Sequence, residues 1–93
     1  EFALENAYPN PFNPVTMIKY HLPEDSRVTL KVYNLLGEVV AVLTDQQETA
    51  GYKSVEWNAG SNASGVYFYR LEAVSTTDPS RSFTQVKKMV LMK

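Results

Sequence analysis

Ninety-three residues with nine Lys and Arg against ten Asp and Glu give a formal charge of −1, which supplies no overall field to hold nucleic acid or an anionic membrane. The chain is 44% hydrophobic and 12% aromatic, too apolar for a disordered tail and enough for one modest core. Cysteine is absent, which excludes disulfides, thiol catalysis and thiolate metal sites, and no apolar run approaches the roughly 20 residues of a spanning helix.

Glu1-Phe2 matches the dipeptide encoded by a common restriction site and is set apart as a cloning remnant, leaving residues 3–93 as one domain. Tyr8-Pro9-Asn10-Pro11-Phe12-Asn13-Pro14 follows, where three prolines forbid helix and central strand, so a stiff loop is expected. Thr16, Ile18, Tyr20 and Leu22 alternate with Met17, Lys19 and His21 in the period-2 pattern of a half-buried strand. Pro23 to Ser26 turns the chain. Val28, Leu30 and Val32 then alternate with Thr29, Lys31 and Tyr33, a second strand that pairs through the Gly37 turn with a third at Val39–Leu43. That third run lacks clean alternation, so it is either buried on both sides or bulged.

Thr44 to Ala50 reads as a polar connection. Beyond Gly51, the run Tyr52–Trp57 places Lys53, Val55 and Trp57 on one face, and Trp57, the single tryptophan, is expected to anchor the core. Asn58 to Gly65 satisfies every turn criterion. Val66–Val74 carries Val66, Phe68 and Arg70 on one face and Tyr67, Tyr69 and Leu71 on the other, the mark of a central strand. Ser75 to Ser82 is a hairpin connection, and Phe83–Met92 is the last strand. About seven short strands at this spacing define an all-β fold, an immunoglobulin-like Greek-key β-sandwich of antiparallel strands.

No residue pattern specifies chemistry. His21, the only histidine, has no catalytic partner motif and reads as a surface residue, and nucleophile elbow, zinc-binding and phosphate-loop motifs are missing. Neither cofactor nor metal is expected, and the chain is not expected to be an enzyme. Alternation separates Phe68 from Tyr67 and Tyr69, so these rings read as core in preference to a sugar platform. Asn62-Ala63-Ser64 reads as a turn, and Asn10, Asn13 and Asp25 as local Asx-turn formers. Among the last seven residues, Lys87, Lys88 and Lys93 are the only charges, interleaved with Met89, Val90, Leu91 and Met92. That strand serves either as a charged edge that resists stray pairing or as a recognition element.

The loop Tyr8-Pro9-Asn10-Pro11-Phe12-Asn13-Pro14, the run Thr16 to Tyr20 with Leu22-Pro23, and Val32-Tyr33-Asn34-Leu35-Leu36-Gly37-Glu38-Val39-Val40 closely resemble the type A C-terminal sorting domain of the type IX (Por) secretion system. Gly51 with Trp57, Ser64-Gly65-Val66-Tyr67-Phe68-Tyr69-Arg70-Leu71 and Lys88 to Lys93 agree, although Ser75–Ser82 is longer than usual for that family. The immunoglobulin-like domain of flagellar hook-capping proteins is similar around the proline loop and Gly65-Val66-Tyr67. The first resemblance implies a bacterial sorting signal attached to an upstream cargo domain. Its partners would be the outer-membrane translocon and a sortase-like peptidase, with the cargo reaching the cell surface or medium via the periplasm. Lys87 to Lys93 is then the candidate translocon-recognition strand, open on its outer edge to β-augmentation or to a weak homodimer. The competing expectation is an accessory binding or spacer module, for polysaccharide or protein, in a cell-surface enzyme.

Overall fold

Alternation of apolar and polar residues decides most of the architecture. The computed structural model describes residues 1–93 as seven strands and no helix: β1 (Ala3–Leu4), β2 (Val15–Leu22), β3 (Ser26–Tyr33), β4 (Val39–Glu48), β5 (Gly51–Asn58), β6 (Gly65–Ser75) and β7 (Ser82–Leu91). They form two antiparallel sheets, one ordered β1-β2-β5 and the other β4-β3-β6-β7, the immunoglobulin-like sandwich expected. Only β3–β4 and β6–β7 are hairpins between neighbours in both sequence and sheet, apart from the short β1–β2 pair. The links β2–β3, β4–β5 and β5–β6 each cross from one sheet to the other.

The inward residues are those that the period-2 pattern selects. Thr16, Ile18, Tyr20 and Leu22 of β2 face Val28, Leu30 and Val32 of β3 and Tyr67, Tyr69, Leu71 and Ala73 of β6, all buried. Each large apolar side chain so buried contributes roughly 1.5–3 kcal/mol. The strand β6 is central as expected, flanked by β3 and β7. Tyr67 donates its hydroxyl to the Ala63 carbonyl at 2.6 Å, a tyrosine corner at the start of the strand. The buried hydroxyls of Thr16 and Ser26 donate to the Pro9 and Glu24 carbonyls, and no buried side-chain nitrogen or oxygen is left unpaired.

Two readings change. First, β4 is longer than Val39–Leu43: it continues through the polar residues to Glu48, paired with the start of β3. Polar composition misled because β4 is an edge strand with one wet flank. Second, the broken alternation comes from bulges, not from burial on both sides. Register shifts opposite Leu30/Lys31 and Val32/Tyr33 leave Leu43 and Val40 without paired partners, so Val40, Ala41 and Leu43 all reach the core while Val39 and Val42 point out. The Gly37 turn is held by Asn34, whose Oδ1 accepts the Leu36 and Glu38 amides, and Gly37 takes a φ of 83° that favours glycine. Phe2, set apart by sequence, stacks on Phe83 at 5.7 Å.

Candidate recognition surface

The proline loop and the last strand, 80 residues apart in sequence at Asn10 and Val90, form one unit. Phe12 is the single apolar side chain among the loop's prolines and asparagines, and it is buried to 2% exposure. Its ring lies 5.8 Å from that of Trp57, which in turn meets Tyr67 edge-on at 5.5 Å. Trp57 is therefore a core anchor as expected, and its role is to seat the loop.

With Phe12 seated, the loop backbone runs along the outer edge of β7. The Phe12 amide donates to the Val90 carbonyl at 3.0 Å, and the Met92 amide donates to the Phe12 carbonyl at 2.9 Å, a short parallel bridge. Asn10 completes the strap: its Oδ1 accepts the Val90 amide at 2.9 Å and its Nδ2 donates to the Lys88 carbonyl at 3.3 Å. Asn10 is thus a long-range clamp and not a local turn former. Asp25 likewise bonds outside its own turn, accepting the Ala50 amide where β4 ends beside the start of β3.

These bonds overturn the expectation of an open edge at the C-terminal strand. In an antiparallel strand alternate residues turn both backbone groups to one side, and here Lys88, Val90 and Met92 turn theirs toward the loop. The Lys88 carbonyl, both backbone groups of Val90 and the Met92 amide, which β-augmentation or edge-to-edge pairing would need, are already occupied. The outward edge of β7 stays uncovered from Ser82 to the Lys88 amide, and the outer flank of β4 is the other edge of this sheet.

The candidate residues therefore divide. Met89 and Leu91 are core residues, buried almost completely. Lys87 donates to Asn6 Oδ1 at 3.2 Å, and the Lys93 ammonium donates to the Gly60 carbonyl at 2.7 Å while its amide donates to Ser64 Oγ. Lys93 is consequently a tether to the Ala59–Ser64 loop. Lys88, Val90 and Met92 remain, pointing outward from the four-stranded sheet.

Elsewhere, Tyr69 holds the N-terminal segment, accepting the Ala7 amide and donating to the Glu5 carbonyl, both at 2.8 Å. Burial pushes its phenol above the ordinary value. Tyr20 donates to Glu48 at 2.7 Å, and burial followed by that carboxylate drives its phenol well above the ordinary range. Glu48 sits in an open polar trough of about 620 Å³ between β4 and β5. Tyr67 and Tyr69 are core, as expected. Two other rings, Tyr8 and Tyr52, are about four-fifths exposed, and Tyr52 packs on His21 at 4.4 Å. They stand opposite Met17 and His21 on β2, so roughly 13 Å separates them along the sheet.

A family model described as the secretion system C-terminal sorting domain matches residues 6–91. No curated protein matches significantly. A crystal structure of CopC from Methylosinus trichosporium OB3b is similar with a TM-score of 0.61 at 11% identity, over 98% of this chain and 93% of that one. One of dimeric latent PorU from Porphyromonas gingivalis gives 0.67 at 15% identity, over 96% of this chain, which spans only 9% of PorU. At such identities the structures support the fold alone.

Proposed function

Because the chain belongs to the family of secretion-system C-terminal sorting domains, the type IX sorting signals, we propose that it acts as a type A domain. It would carry an upstream cargo from the periplasm through the outer-membrane translocon to the cell surface or medium. In this reading residues 3–93 are one folded signal with no catalytic task, and a sortase-like peptidase then acts on it as substrate. The observation that carries the mechanism is the strap. Asn10 and Phe12 hold the last strand against the sandwich, with Met89 and Leu91 in the core and Lys88, Val90 and Met92 displayed. A signal presented on a rigid sandwich loses little conformational entropy when it is recognised.

The test is a periplasm-directed reporter fused to this domain in a type IX-competent host. The full domain exports the reporter. A version ending before Lys88 retains it in the periplasm and also folds less stably, since it lacks Met89 and Leu91. Lys88→Ala combined with Lys93→Ala lowers export at a small cost in stability. Normal export of a truncated but folded fusion would place the signal outside Lys87–Lys93.

A further inference from the structure

We propose that the half of the four-stranded sheet nearest the Gly37 turn is a docking face, built from all four strands, for a partner protein whose apolar surface carries interspersed carboxylates. The proposal deepens the sorting reading and rests on it. With the β7 edge closed by the strap at Lys88–Met92, a partner that reads this strand must read its outward side chains, and these belong to a larger face.

Register lays that face out in rows across the sheet. One row runs Val39, Tyr33, Phe68, Lys88, and the next Val42, Lys31, Arg70, Val86. Beyond the first, Val66 stands opposite Val90, and the exposed Leu35 and Leu36 share a shallow depression with Val66. Val39, Val42 and Val86 are each about half exposed, at 49%, 54% and 52%. An interior strand pair with apolar residues on its solvent side is unusual in a sheet whose other face already fills the core.

Charge is segregated on the same face. These rows hold three cations, Lys31, Arg70 and Lys88, and no acid, whereas the following row holds Asp45, Thr29, Glu72 and Thr84. Glu38, in the turn beside the first row, accepts a hydrogen bond from Asn34. Arg70 lies over the Tyr33 ring at 5.2 Å and pairs with Glu72 of the acidic row at 3.6 Å, with its side chain 39% exposed on the face. Lys31 and Arg70 stand on the two interior strands between Val42 and Val86, so the cations interleave with apolar residues and fit a partner surface on which carboxylates interleave with apolar side chains. The face measures roughly 19 by 13 Å from strand and residue spacings, small enough for a transient interface that lets a transported domain go.

The experiment uses the full chain fused to the reporter. Lys31→Glu with Lys88→Glu places two carboxylates on the face, and Lys19→Glu, set beside Lys31→Glu alone, makes the same charge change on the outer face of the other sheet. The face variant should export on the order of tenfold less reporter, and the control should export normally. Both should melt within about 3 °C of the unaltered chain, as surface changes do. Val42→Ser with Val86→Ser should reduce export without altering charge. Equal export by all fusions overturns the docking face and leaves the sorting reading intact, whereas retention of the unaltered fusion overturns that reading and the face with it. Sedimentation showing a dimer that Lys31→Glu with Lys88→Glu dissolves would assign the face to a second copy. Flotation with phosphatidylglycerol vesicles, lost in the same variant, would assign it to a membrane, and either outcome refutes the protein partner proposed.

Discussion

Replacing Phe12 with alanine separates the strap from the sandwich. The ring is 2% exposed against Trp57, and truncating a buried phenylalanine costs roughly 3–5 kcal/mol. The low end, about 3 kcal/mol, applies because the loop carrying it can relax. A domain of this length has a total stability of roughly 5–14 kcal/mol, so most of the molecules stay folded. What changes selectively is the outer edge of β7. The Val90 and Met92 amides are held only by Asn10 and Phe12, while Leu91, opposite Gly65, belongs to the β6 side of the strand. Hydrogen exchange read residue by residue should then show Val90 and Met92 exchanging near free-peptide rates, with Leu91 still protected by whatever global stability remains. If Val90 and Met92 lose protection only in step with Leu91, the loop is held without its aromatic anchor and Phe12 does not fasten the strap. The freed edge should also promote self-association, visible by sedimentation at high concentration.

Three further outcomes follow from the same structure. Trp57→Ala should cost about 3–5 kcal/mol in chemical denaturation, since it removes the ring that both Phe12 and Tyr67 pack on; unchanged stability would refute its place in the core. Tyr20 and Tyr69 bind their protons more tightly when folded, so their contribution is fully present below the unfolded value of about 10 and declines as pH rises through and above it. Stability should therefore fall on the alkaline side, and Tyr20→Phe should flatten that fall; an identical alkaline slope would show that the buried Tyr20 phenol is not its source. Calorimetry against soluble plant and bacterial glycans should register no binding, because Tyr67 and Tyr69 are spent in the core and the exposed Tyr8 and Tyr52 stand apart; millimolar affinity lost in Tyr52→Ala would revive the carbohydrate reading.

The sequence by itself determined the class of fold and the inward residues of β2, β3, β5 and β6. Period-2 alternation is a local code that the pleat of each strand reads directly. It identified Trp57 as an anchor and Val39–Leu43 as irregular, and the resemblance carried by the proline loop and the Lys88–Lys93 ending led to the family. Alternation says nothing about an edge strand such as Thr44–Glu48, whose polar residues suit solvent as well as a turn does. It is equally silent on partners far apart in the chain. Asn10 between two prolines has the local appearance of a turn former, and only tertiary structure reveals that it clamps Val90, 80 residues on. Lys88 and Lys93 look alike in sequence, yet one is displayed and the other is tied to Gly60. The mixed face of β6 likewise gains meaning only once register sets Tyr33, Phe68 and Lys88 side by side. Which strands become neighbours is settled by closure of the whole sandwich, a non-local choice that no single segment encodes.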